Sequence, residues 1–176
     1  FPPTKKYGLF PSLAIGWRLS EESFIKESYP WISNLKLKTS IGKLGNQNIG
    51  NYPWQSVYNL GQNYPLGGVF VQGAAMTTLT DPALRWESTQ TSDAGIETSF
   101  WEGKLSLNAS YFQRNTTDIL YKPTSSVSTV LGMGLSEMNT GSLKNSGWEF
   151  ELVHNGNAGQ FYYNFNMNFS IILNQV

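Results

Sequence analysis

Glu149 and Glu151 stand two residues apart in a stretch of alternating polarity, so on a strand both carboxylates point the same way. Paired carboxylates can act as general acid and base, but cleaving a glycoside needs them on opposite sides of the bond. Neighbours on one strand face do not offer that geometry. Asp93 and Glu97 repeat the pattern on one face of an earlier segment. His154 is the only histidine and lies beside a predicted turn, where a solvated imidazole is a simpler reading than a general base. With no cysteine and no second histidine, it has no companions for a metal site. Gly67–Gly68 and Gly132–Met133–Gly134 lack the strand-to-helix setting of a phosphate cradle. The chemistry read here is therefore a hydrated, charged wall, and the chain is expected to be no enzyme and to hold no cofactor or metal. A second group, Tyr52, Trp54, Tyr58 and Tyr64, sits in a segment rich in Gly, Asn and Pro. Flat rings flanked by amides can stack on sugars or peptide side chains, and they can equally pack loops together.

The elements that would position these residues are strands. From Phe161 to Leu173, Phe161, Tyr163, Phe165, Met167, Phe169, Ile171 and Leu173 share one face, while Tyr162, Asn164, Asn166, Asn168 and Ser170 share the other. One face is aromatic and aliphatic; the other is amide. That is what a strand needs with lipid on one side and a watery lumen on the other. The same alternation predicts six long strands at about 8–19, 35–45, 85–101, 104–121, 143–155 and 160–174. Asp93, Glu97, Glu149, Glu151, Asn164, Asn166 and Asn168 are the expected lumen-facing set. Ser20 to Lys26 suggests a turn or two of helix before Pro30. Glu102–Gly103 predicts a two-residue hairpin turn, and residues 155–159 (Asn-Gly-Asn-Ala-Gly) another compact turn. Trp17, Trp86, Trp101, Tyr111, Tyr121, Trp148 and Phe161 lie near predicted strand ends, as an interfacial girdle requires.

Composition agrees. Only 14% of residues are charged and 14% are aromatic, against about 25% charged in ordinary soluble domains. Formal net charge is zero, which gives no electrostatic reason to expect nucleic acid. No apolar run is long enough for a transmembrane helix. No signal peptide is visible and the chain starts at Phe1, so an exported parent is expected to extend upstream. Long connections at 46–84 and 122–142 follow the second and fourth strands, and short ones follow the first, third and fifth. An antiparallel meander then puts every long loop at one end, as in outer-membrane barrels, whose long loops are extracellular. Six strands cannot close a bacterial barrel, which takes about eight. Either they are a section of a larger barrel, or they pack as a soluble sheet.

Particular motifs speak to that choice. Tyr7 to Glu22 (Tyr-Gly-Leu-Phe-Pro-Ser-Leu-Ala-Ile-Gly-Trp-Arg-Leu-Ser-Glu-Glu), Leu35 to Lys38 leading into Gly45–Gly50, Leu84–Glu87, Tyr111–Phe112 with Thr116–Leu120, and Asn145–Leu152 occur in order. As an ordered set covering nearly the whole chain, they closely resemble the SusC/RagA family of TonB-linked outer-membrane transporters from Bacteroidetes. The resemblance implies a plugged barrel of about 22 strands. It implies a SusD-like surface lipoprotein as lid, glycan or peptide cargo, and import energised through TonB. No plug domain, TonB-contacting segment or barrel-closing strand is recognisable in these residues. The chain is thus expected to be a later part of an all-β transmembrane barrel in the bacterial outer membrane, with lipid and a SusD-like protein as partners and TonB reached through a segment outside it. The alternative is a soluble all-β carbohydrate-binding or adhesin module, whose apolar face a second sheet would bury. A secreted β-rich hydrolase would need a convergent titratable pair, which the sequence does not show.

Overall fold

The computed structural model describes residues 1–124, 130 and 132–176. In chain order the strands are β1 (Ser12–Arg18), β2 (Ile32–Asn46), β3 (Tyr58–Leu60), β4 (Tyr64–Leu66), β5 (Val69–Val71), β6 (Ala74–Met76), β7 (Thr78–Leu79), β8 (Glu87–Phe100), β9 (Leu105–Thr117), β10 (Leu120–Tyr121), β11 (Gly134–Leu135), β12 (Met138–Asn139), β13 (Ser142–Ala158) and β14 (Phe161–Gln175). Six of them form one sheet in the order β1-β2-β8-β9-β13-β14. The chain divides into two compact units. One comprises Phe10–Leu44, Thr89–Thr116 and Leu143–Val176 and contains most of this sheet; the other comprises Phe1–Leu9, Gly45–Ser88 and Thr117–Ser142.

Register explains why the sheet has two chemically distinct faces. In the β1/β2 ladder Leu13 faces Ile41 and Trp17 faces Leu37, while Gly16 faces Lys38 and Arg18 faces Lys36. In the β13/β14 ladder Trp148 faces Ile171, Phe150 faces Phe169 and Leu152 faces Met167, while Glu149 faces Ser170, Glu151 faces Asn168 and Asn155 faces Asn164. A one-residue slip would exchange the faces, so the two patterns fix the pairing. Among the described residues nothing covers the apolar face: Trp17 remains 51% exposed, Phe150 42% and Phe169 55%. The exposed area, 12703 Å², far exceeds the roughly 8,600 Å² expected for a folded monomer of this mass. Among the described residues only Leu84 is a fully buried large side chain, so no hydrophobic core lies behind the sheet.

Several boundaries differ from the sequence expectation. The helical turn is present, as a 3-10 turn at Leu19–Glu21 and a single α-turn, α1 (Ser23–Lys26). Trp17 Nε1 donates to Glu22 Oε1 at 2.9 Å, tying the end of β1 to this turn. The turn at Glu102–Gly103 is longer than two residues. Trp101, Glu102 and Gly103 all take positive φ (50°, 57° and 87°), with Gly103 N–H bonded to the Phe100 carbonyl and Lys104 N–H to that of Trp101. Trp101 accepts the left-handed conformation because it stacks on Trp31, at 6.1 Å between centroids, and donates its N–H to the Trp31 carbonyl. The last turn is also displaced, since β13 continues to Ala158 and Gly159, at φ 64°, makes the reversal. His154 therefore lies within a strand and not at its end. It faces Phe165, on the apolar side, and stacks on Tyr163 at 5.5 Å.

The aromatics divide differently from a simple girdle. Tyr29, Trp31, Phe100 and Trp101 cluster around the compact turn between β8 and β9. Tyr111 and Trp148, in contact at 5.2 Å, are mid-strand residues of β9 (Leu105–Thr117) and β13 (Ser142–Ala158) and do not lie at strand ends as a girdle would need. Trp86 packs instead on Phe1 at 5.4 Å and donates its indole N–H to the Lys5 carbonyl.

The segment expected as a long loop at 46–84 is partly ordered by nested hairpins, β3 with β6 and β4 with β5. Gly73 permits them: its N–H-bearing backbone crosses so close to Gln62 that any Cβ would strike the Gln62 carbonyl oxygen. Of the second loop, 122–142, residues 125–129 and 131 lie outside the described residues. Its later part returns as β11, parallel to β7, and β12, antiparallel to β10.

Candidate functional site

The polar face of the sheet gathers the charged residues singled out in the sequence. Lys38 Nζ lies 2.6 Å from Glu97 Oε1, and Lys36 Nζ 3.7 Å from Glu97 Oε2, so one carboxylate neutralises part of two ammonium charges. Ser40 Oγ donates to Asp93 Oδ2 at 3.3 Å, and Asn108 Nδ2 donates to Glu151 Oε2 at 2.9 Å. Asn164 Nδ2 donates to Asn155 Oδ1 at 2.6 Å. A cleft of about 550 Å³ on this face is lined by Lys38, Glu97, Asn108, Glu149, Glu151 and Asn168. Its carboxylates come from one side of adjoining strands, and their neighbours are amides, hydroxyls and ammonium groups. Such a surface hydrogen-bonds water and polar solutes in passing; it does not converge on one reacting atom.

The four loop aromatics separate into two pairs. Tyr52 and Trp54 line a second cleft, about 530 Å³, together with Phe1, Lys6, Gln47 and Asn51. Tyr52 is 68% exposed and holds φ 56°, a conformation that a bulky side chain adopts at a cost of about 1 kcal/mol or more. Trp54 presents a buried indole Nε1 with no hydrogen-bond partner among the described residues. Tyr58 and Tyr64 stand elsewhere, in the hairpins, opposite Met76 and Val71. The structure therefore brings together two of the four expected aromatics.

Sequence reasoning assigned no role to a cluster that organises the same unit. Arg85 forks onto Asp118, with Nε to Oδ2 at 2.9 Å and Nη2 to Oδ1 at 2.6 Å. The side chain of Asn139 closes the triangle. Its Oδ1 accepts the Arg85 N–H, and its Nδ2 donates to the carbonyls of Arg85 and Asp118, each at 2.7 Å. Asp118 has φ 57°, and its carboxylate raises the Arg85 pKa first through the hydrogen bonds and then through its charge. Three segments far apart in sequence are thus fastened at one point. Two of the motifs that carried the family resemblance contain Arg85 and Asp118, which was the available signal.

A long antiparallel sheet with one exposed apolar face and one polar face has the make-up of a barrel wall. The family described as TonB dependent receptor-like, beta-barrel matches residues 2–174. The chain belongs to that family of outer-membrane barrels, in its SusC/RagA type. It is 34% identical over 152 residues to TonB-dependent receptor P26 of Formosa agariphila, and 33% identical over 156 residues to TonB-dependent receptor SusC of Bacteroides thetaiotaomicron. Each alignment takes in 86% of this chain and 15% of the relative. The RagAB peptide importer in its closed-closed state superimposes with a TM-score of 0.78 at 27% identity, over 98% of this chain and 18% of that one. The chain therefore spans about one sixth of the proteins it resembles.

Proposed function

We propose that the chain is a section of the barrel wall of an outer-membrane, TonB-dependent importer of glycans or peptides that works with a SusD-like lipoprotein. In this reading the apolar face meets lipid and the polar face looks into the lumen. Asp93, Glu97, Glu149, Glu151, Asn164, Asn166 and Asn168 line a hydrated passage, and TonB acts on the parent through a segment outside these residues. The two long connections leave the strands at the extracellular end, where Tyr52 and Trp54 would offer stacking surfaces to arriving cargo.

The observation that carries the reading is the exposed apolar face. In water it would expose a contiguous apolar patch far beyond the few hundred Å² that soluble monomers show. In a bilayer the same face is stabilising, and the free edges of β1 and β14 are completed by neighbouring strands of a larger barrel. A soluble sugar-binding module would need a second layer over that face, and the described residues supply none. A growth experiment tests the function. Deleting the parent gene should abolish growth on one glycan or peptide source, wild-type complementation should restore it only in a TonB-competent strain, and a Tyr52→Ala/Trp54→Ala parent should restore it more slowly. Unchanged uptake across a panel of such sources after deletion would overturn the proposal.

A further inference from the structure

Charge is distributed unequally between the two faces of the sheet unit. The strand carboxylates of that unit, Asp93, Glu97, Glu149 and Glu151, lie on the polar face, as do Arg18, Lys36, Lys38 and Arg114. The apolar face carries two lysines and no strand carboxylate. Lys43 lies two residues beyond Ile41 on β2, and Lys144 four residues before Trp148 on β13, so both follow the apolar parity. Both stand near the end of the sheet from which the long connections leave, and both are exposed. Beside Lys43 runs a shallow groove of about 340 Å³, lined by Pro11, Ser12, Leu13, Ile41, Gly42, Lys43 and Gln90. Leu13 and Ile41 are more than half and about half exposed within it. Backbone hydrogen bonding from Lys43 N–H to the Pro11 carbonyl, at 2.9 Å, keeps the groove's two walls in register.

An aliphatic trough ending at an unneutralised ammonium matches one kind of molecule: an amphiphile with an acyl chain and an anionic head. We propose that Lys43 and this groove form a binding site for an anionic membrane lipid, its chain along Pro11, Leu13 and Ile41 and its phosphate against Lys43 Nζ. Lysines at the ends of membrane-facing strands extend toward the head-group layer, where an anionic phosphate gives the charge a partner that no carboxylate on this face provides. Lys144 sees the same head-group layer without an adjoining groove and serves as a weaker, chain-independent contact. The proposal rests on the apolar face being lipid-facing, and goes beyond it by assigning a particular site and head-group charge.

Native mass spectrometry of the intact parent in detergent, with added phosphatidylglycerol or phosphatidylcholine of identical chains, tests it. The wild type should retain phosphatidylglycerol preferentially. Lys43→Gln should reduce that retention roughly five-fold, Lys43→Arg should preserve it, and Lys144→Gln should change it less. Each variant must keep the heat-modifiable mobility of a folded barrel, which separates lost binding from lost folding. Equal retention of the two lipids by the wild type, or an unchanged preference in Lys43→Gln, would overturn the site while leaving the lipid-facing reading intact. A parent that purifies without detergent as a monodisperse soluble protein would instead overturn the underlying reading.

Discussion

The two compact units hold themselves together by opposite means. In the sheet unit, long ladders set the register, and side chains sort by parity into an apolar and a polar face with almost nothing buried. The unit built from the connections has strands of two or three residues, too short to be stable by pairing alone, and depends on a few specific side chains. Leu84 is fully buried there, Ser136 Oγ reaches the Pro53 carbonyl at 2.9 Å, and the Arg85–Asp118–Asn139 triangle fastens three segments. The sheet is thus specified by a pattern that many sequences could satisfy, and the other unit by individual residues that few replacements could mimic.

Substitutions should break this contrast in graded ways. The largest effect is expected on the apolar face. Phe150→Arg should cost about 2–4 kcal/mol near a bilayer midplane and strip the folded barrel from the outer membrane, whereas Glu151→Gln, one residue away on the polar face, should leave its amount unchanged. Immunoblots of heat-modifiable protein in outer-membrane fractions read the difference. Gly73→Ala comes next, because its methyl group collides with the Gln62 carbonyl. The expected cost of about 1–3 kcal/mol should appear as proteolytic cleavage near residues 60–75 of the intact parent, with the sheet still protected. Asp118→Asn should be milder, about 1 kcal/mol, since Arg85 and Asp118 are half and one-third exposed and their attraction is screened. It should raise hydrogen exchange at Leu120 and Tyr121, which pair with Asn139 and Met138, and 1 M salt should mimic part of the effect.

Acid should produce the smallest change. The Glu137 carboxyl is held below its usual value of 4.5 by its own backbone N–H, by the Ser136 hydroxyl and by the charge of Lys122. A depressed folded pKa contributes stability that is complete above the ordinary value and disappears as pH falls through the lower one. Exchange protection around Ser136 should therefore be flat above pH 5 and decline toward pH 3, and Glu137→Gln should abolish that decline.

This contrast also explains what could be read from the chain before folding. Six strands were legible because alternation is a local signal, repeated over 7 residues in β1 and over 15 in β14. The turn at Trp101 was not, because nothing local marks an aromatic residue for positive φ; its stacking on Trp31 supplies the reason from another segment. The sequence places His154 at the end of its strand, beside a turn, because Asn155 and Gly156 follow it, yet cross-strand pairing with Asn164 and Tyr163 carries the strand through them. Interruptions by Pro65 and Gly73 hid the nested hairpins. Among the candidate contacts, Tyr52 and Trp54 share a cleft with Asn51, while Tyr58 and Tyr64 belong to short strands that no periodicity announced. Arg85, Asp118 and Asn139 are separated by 33 and 21 positions, so motifs containing the first two could flag them but not show that the three meet.

Spin labels placed singly at positions 161–173 of the intact parent in a bilayer report which face of β14 meets lipid. A lipid-facing apolar side gives a two-residue sawtooth, with oxygen accessibility high at Phe165, Met167, Phe169 and Ile171 and water-soluble nickel chelate accessibility high at Asn164, Asn166, Asn168 and Ser170. A flat profile, or nickel chelate reaching both sets alike, would contradict it.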